Sequence, residues 1–187
     1  MLTTASGASG QVRSNITYGP VAQVFHWLVV VLLVAQYLTE LLPRLLPKSY
    51  EDAFVGSHVS IGPTILLIML LRLGWRLANP PPPAPRNLRP SLQVISRMTH
   101  WLFYVVLIVL PILGWISASA FGVTAYLFGF IALPGLVAKD QAFGDAIGSI
   151  HGTIALALLA LIALHISGAA YHALVKRDGV LQRMLPD

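Results

Sequence analysis

The sequence predicts an all-α integral membrane protein, a bundle of four transmembrane helices with both termini in the cytoplasm. Three observations carry that expectation. Of the 187 residues, 56% are hydrophobic and 10% charged, with a mean hydropathy of +0.75, whereas soluble domains carry about 25% charged residues. Four apolar runs are each long enough to cross a bilayer core, which takes about 20 helical residues. Basic residues are split unevenly between the two sets of loops, as in a chain of fixed orientation.

Residues 1–17 (MLTTASGASGQVRSNIT) are small and polar and are expected to form a disordered tail. A single domain over 18–187 follows. No basic cluster opens the chain and the first apolar run is long enough to span, so the tail does not read as a cleaved signal. The spans are expected at about 20–40, 57–77, 98–120 and 147–174. Pro20 suits the first turn of span one, where its missing N–H is harmless. Pro111 falls inside span three and is expected to kink it. Spans two and three are joined by the polyproline-like NPPPPAPRNLRPS. The 121–146 loop is longer and still apolar (VTAYLFGFIALPGL). It is expected to lie in the interface, to cap the bundle, or to form a short re-entrant piece.

Orientation follows from the basic residues. Arg13, Arg72, Arg76, Arg86, Arg89, Arg97, Lys176, Arg177 and Arg183 fall on the side of the termini, against Arg44, Lys48 and Lys139 on the other. Nine against three places both termini in the cytoplasm. The net charge of +5 thus reflects orientation, and no nucleic-acid partner is expected. The absence of cysteine excludes disulfides, iron–sulfur clusters, thiolate metal sites and c-type haem attachment.

All six histidines lie in or beside the spans, where an ionisable group marks a functional site by default. His26 lies on the cytoplasmic side of span one and His58 at the periplasmic start of span two. His100 opens span three from the cytoplasm. On span four, His151 is near the periplasm, and His165 and His172 are near the cytoplasm. The fourteen residues from His151 to His165 correspond to about 21 Å of helical rise and return the side chain to within about 40° of the same face. His58 matches His151 in depth, and His26 matches His165. Two haems stacked across the membrane, each held by imidazoles from either side, satisfy this arrangement, with iron centres about 20 Å apart along the membrane normal. Small residues at Gly56, Ser57, Ser60, Gly62, Gly148, Ser149 and Gly152 would let a flat macrocycle approach the backbone.

Rival readings are a hydrogen bond between helices, a proton relay or a zinc site. The interior of the spans holds no Asp or Glu, which removes the acids a relay uses and the carboxylates that often join histidine on zinc. His172 lies on nearly the same face as His165, at the depth of His100. A His100–His172 pair is therefore a second candidate for the inner haem. Otherwise both are interfacial groups that hydrogen-bond propionate, quinone or water. Arg72, fourteen residues after His58, would pair with an inner-haem propionate or snorkel to the interface. Arg44, Lys48 and Lys139 form either ordinary loop charge or a positive funnel for a small anion. Glu40, Glu51, Asp52, Asp140 and Asp145 lie in the same loops.

The segments YGPVAQVFHWLVVVLL, SHVSIGPTILLIMLLRLGWRL and IHGTIALALLALIALHISGAAYHALVKRDGVLQRMLP resemble the bacterial cytochrome b561 family over residues 17–187. The signals are His-Trp in span one, His-Val-Ser-x-Gly opening span two, and two histidines fourteen apart in span four. The resemblance implies two b-type haems held by His26, His58, His151 and His165, which favours His165 over His172 for the inner one. It also implies a multi-pass protein of the bacterial inner membrane that exchanges electrons with the quinone pool. Some members resemble superoxide oxidases, which take electrons from superoxide outside and reduce ubiquinone. Others relate to membrane-anchor cytochrome b subunits of hydrogenases or formate dehydrogenases. The compact chain fits the stand-alone type, with superoxide or another periplasmic donor as partner. Its oligomeric state stays open.

Overall fold

The computed structural model describes residues 17–83 and 90–185. All of the expected tail but Thr17 lies outside the described residues, as do Arg13, Arg86 and Arg89 of the charge count. The first helix, α1, runs Pro20–Leu41 with proline at its first position. Short 3-10 turns at Leu42–Arg44 and Lys48–Tyr50 lead into α2, Glu51–Ala78. Glu51 and Asp52 in its first turn and Arg76 in its last match the signs of the helix dipole. The third helix, α3, is Pro90–Phe121 and the fourth, α4, is Gln141–Tyr171.

Three of the four helices start six to eight residues before the expected spans. The apolar run marks the hydrocarbon crossing, whereas a helix continues wherever its end is satisfied. At α4 that satisfaction is explicit: the Asp140 carboxylate accepts the Phe143 N–H at 3.0 Å, an N-cap. The 32 residues of α3 span about 48 Å against a hydrocarbon core of about 30 Å, so its ends overhang. Helix α4 stops as a regular helix at Tyr171 and passes into a wide π turn, His172–Lys176. Pro63 and Pro111 lie inside α2 and α3, and the helical run continues through both.

Consecutive helices pack against one another in an up-down-up-down bundle. Its core is Val29, Ile65, Met69, Tyr104, Leu107, Leu110 and Leu158. Large apolar side chains face outward instead of inward along the outer helices: Val24, Val31 and Val34 on α1, Leu156, Leu164 and Ile166 on α4. That pattern suits lipid as the solvent, and all four helices are long and apolar enough to cross a membrane. The chain is a multi-pass membrane protein. The first and last described segments meet at one end of the bundle. The Tyr18 N–H donates to the Arg183 carbonyl at 3.1 Å, the Gln23 amide to Leu185 at 3.0 Å and the Trp27 indole to Met184 at 2.8 Å. We call this the basic end, because Arg72, Arg76 and Arg183 lie there.

The α3–α4 loop occupies the opposite end and contains a small hairpin, β1 (Tyr126–Leu127) paired antiparallel with β2 (Ile131–Ala132). Three residues connect the strands. Phe128 and Gly129, both at positive φ, 55° and 80°, are the central pair of a turn closed by the Phe130 N–H on the Leu127 carbonyl at 3.3 Å, as I′ geometry requires. Hydrogen bonds from Asp140 N–H to Ala120 O and from Leu136 N–H to Ser119 Oγ tie the loop to the last turn of α3. The Phe128 N–H donates to Thr64 Oγ1 at 3.1 Å, which lays the hairpin tip along α2. The loop therefore caps this end and leans on the bundle's flank.

Candidate functional site

Four histidines meet in two pairs, one toward each end of the bundle. At the hairpin end, the rings of His58 on α2 and His151 on α4 have centroids 6.1 Å apart. Toward the basic end, His26 on α1 and His165 on α4 are separated by 6.4 Å. All four side chains are half-buried. An imidazole nitrogen binds a first-row metal at about 2 Å, so two imidazoles on opposite sides of one metal hold their centroids about 6 Å apart. Both pairs have that spacing.

Hydrogen bonds decide which nitrogen is free at the hairpin end. Thr39 Oγ1 donates its proton to the Gln36 carbonyl at 2.6 Å. It must therefore accept from His58, whose Nδ1 lies 3.1 Å away. His151 Nδ1 is 3.0 Å from the Leu110 carbonyl, which can only accept. Both rings thus carry the proton on Nδ1 and leave the Nε2 lone pair for a metal, the arrangement by which outer partners orient histidine ligands. Gly114 makes room for this contact. A Cβ there would sit 3.0 Å from Cε1 and 3.2 Å from Nδ1 of His151.

The basic end is more crowded. The His165 ring also lies 5.8 Å from His100 and 5.3 Å from Phe103, so two imidazoles flank it at suitable distances. His26 Nδ1 accepts a hydrogen bond from Arg72 Nη2 at 3.2 Å. His172 is engaged elsewhere: its Nδ1 is 2.7 Å from Asp178 Oδ2, and its ring is against Tyr171. The structure thus brings His100 to His165 and not to His172.

Arg44, Lys48 and Lys139 all lie at the hairpin end. Arg44 is paired with the Glu40 carboxylate at 2.8 Å, both side chains well exposed. Lys48 is exposed in its 3-10 turn. The Lys139 side chain runs across Gly122, whose φ of 75° favours glycine.

Sequence reading did not single out Thr39, Leu110, Gly114 or Phe103. Arg76 counted only toward orientation, although its place four residues after Arg72 puts both on one helix face. Gly114 was the readable signal among the others, a glycine inside an apolar span with no turn to make.

Four membrane-spanning helices with imidazoles paired at two levels suit a membrane protein of the cytochrome class. Residues 17–187 match the prokaryotic cytochrome b561 family, and the chain belongs to that family. It is 27% identical to cytochrome b561 homolog 2 of Escherichia coli (strain K12), covering 90% of each chain. It is 30% identical to the probable superoxide oxidase CybB of Yersinia pestis, over 86% of this chain and 91% of the relative. Cytochrome b561 homolog 1 of Escherichia coli (strain K12) is 28% identical, over 86% and 92%. The cytochrome b561 family typically binds b-type haem, and the donor chemistry here fits that group. Each pair offers two nitrogen ligands at bis-imidazole spacing. Among the described residues, no group of three or more His, Cys, Asp or Glu could hold a bare metal ion.

Proposed function

We propose that the chain is a two-haem electron carrier of the bacterial inner membrane, oriented with its basic end in the cytoplasm. It passes electrons from a donor at the periplasmic hairpin end to the quinone pool. His58 and His151 hold one haem, and His26 and His165 the other. The carrying observation is the recurrence of the same imidazole spacing at two levels of one bundle. The choice of His26 over His100 beside His165 rests on the family pattern. Haem, when bound, supplies a one-electron iron couple inside the membrane.

The protein's own part is to ligate, orient and keep the layer between the pairs dry. Leu158, midway along α4 between His151 and His165, and Met69 are each 1% exposed. Such a layer admits electrons and excludes ions and water. The proposed donor is superoxide, supported by the resemblance to the Yersinia protein, and the proposed acceptor is ubiquinone. Two superoxide anions each give up one electron and leave as O₂, and one quinone takes two electrons and two protons to become quinol. The test is a purified, partner-free chain supplied with superoxide and a ubiquinone analogue. Quinol formed at the expense of superoxide, with two haems per chain by pyridine haemochrome, is expected. Activity only when the chain co-purifies with a large dehydrogenase subunit would instead make it a membrane anchor.

A further inference from the structure

Arg72 and Arg76 lie one turn apart on α2 and line a groove of about 510 Å³ at the basic end, together with Tyr18, Trp75, Asn79 and Tyr104. Both are half-buried. Arg72 sits 5.7 Å over the Tyr104 ring, and Arg76 lies 5.6 Å from that ring and 5.7 Å from Trp101. Aromatic faces fix a guanidinium in place but do not neutralise it, and its N–H donors stay directed outward in the plane of the fork. Among the described residues neither arginine has a carboxylate partner. Two neighbouring half-buried cations call for anions.

The bond to His26 sharpens this. Arginine only donates, so His26 Nδ1 accepts and its proton sits on Nε2. A histidine that ligates through Nε2 carries its proton on Nδ1. Arg72 then loses this acceptor, and a carboxylate can take its place.

We propose that Arg72 and Arg76 bind the two propionate carboxylates of the basic-end haem, so that ligation by His26 and capture of a carboxylate by Arg72 are one exchange. The inference rests on the two-haem reading. It matches two cations in one groove with the two carboxylates that haem b carries, and it makes the site selective for the free acid.

The test uses the full chain in detergent, stripped of haem and reconstituted with protohaem or with its dimethyl ester, which has the same ring and iron but no carboxylate. A His151→Ala background isolates the basic-end site. There the ester should be lost to excess apomyoglobin about tenfold or more faster than the acid, from the strength of charge-assisted hydrogen bonds. Arg72→Gln and Arg76→Gln should each shrink that ratio, and the double variant should bring it to one. The iron's reduction potential should fall as the cations are removed. In a His26→Ala background the same arginine changes should leave hairpin-end haem retention unaltered, which controls for folding. Equal retention of acid and ester by the arginine-intact chain would overturn the clamp, as would full discrimination persisting in the double variant. Loss of bound anionic phospholipid from that variant, with haem discrimination intact, would assign the groove to a lipid phosphate and also overturn it. A wild-type chain that takes up no haem would sink the two-haem reading itself.

Discussion

At the scale of single residues, the group behind an imidazole sets which nitrogen is free. His58 depends on Thr39, which has spent its proton on Gln36 and so accepts from Nδ1. Thr39→Val keeps the shape and removes that acceptor. Loss of such an outer partner weakens metal binding about 10–100-fold, so the hairpin-end haem should dissociate that much faster while the basic-end haem is unchanged. Equal loss from both sites would show a general packing defect. Ligand deletions should be equally local: His58→Ala or His151→Ala removes one haem, and His26→Ala or His165→Ala the other, read as one haem per chain. His100→Ala is the discriminating variant at the basic end, because His100 lies nearer to His165 than His26 does. Full haem content in His100→Ala and half in His26→Ala is the expected result, and the reverse would move the ligand to α3. These histidines were legible because imidazoles in acid-free apolar runs stand out. Thr39 and the Leu110 carbonyl were not legible, since which hydroxyl or carbonyl faces a ring depends on how each helix is rotated. The second candidate pair, His100 with His172, did not form for a related reason. Helix α3 starts at Pro90 and overhangs the bilayer, while α4 ends as a regular helix at Tyr171, so ranking histidines by distance from span ends misjudged both depths.

At the scale of elements, the α3–α4 contact sets how closely the hairpin-end ligands can approach. It is built from small residues: Ser117, Ala118, Ser119 and Ala120 are all buried on α3, and Gly144 faces them from α4. A Cβ on Gly144 would lie 3.0 Å from the Phe121 ring and 3.3 Å from the Ala120 Cβ. Ser117 Oγ donates to the Gly144 carbonyl at 3.0 Å, a bond across the helices of the kind that joins membrane spans. Nearer the His58–His151 pair, Gly114 plays the same part for the His151 ring. Gly114→Val is therefore expected to push His151 off the Leu110 carbonyl and halve the haem content, with helical content by circular dichroism unchanged. Retention of both haems would show that α3 can shift enough to take the new side chain. The existence of four spans was legible from composition alone. Their true lengths were not, because hydropathy reports the crossing and not the capped overhang. The β hairpin was also unexpected. Its turn places Phe128 at positive φ, where sequence reasoning looks for Asn, Asp or Gly.

At the scale of the whole molecule, the bundle separates charge by end, and the proposed reaction needs that separation. The basic end gathers arginines within the groove of Arg72 and Arg76, whereas among the described residues the hairpin end offers only Arg44, Lys48 and Lys139 to an incoming anion. Arg44 is already paired with Glu40, so the attraction at this end is modest. Exposed charges of this kind act on encounter rate more than on binding, and salt screens them over about 8 Å at physiological ionic strength. If superoxide is the donor, replacing Arg44, Lys48 and Lys139 together with Gln removes three positive charges from its approach. Haem reduction by superoxide should then slow by up to about tenfold at low salt, and the two proteins should converge as ionic strength rises. Reduction by a neutral quinol arriving through lipid should be the same in both, which separates lost steering from a damaged haem site. The Lys139 change carries its own control, since that side chain packs across Gly122. Lys139→Arg keeps the charge there and should keep the rate. Superoxide kinetics that are identical in the triple variant and the parent at low salt would mean that no anion is steered to this face, and the membrane-anchor reading would then gain over the oxidase.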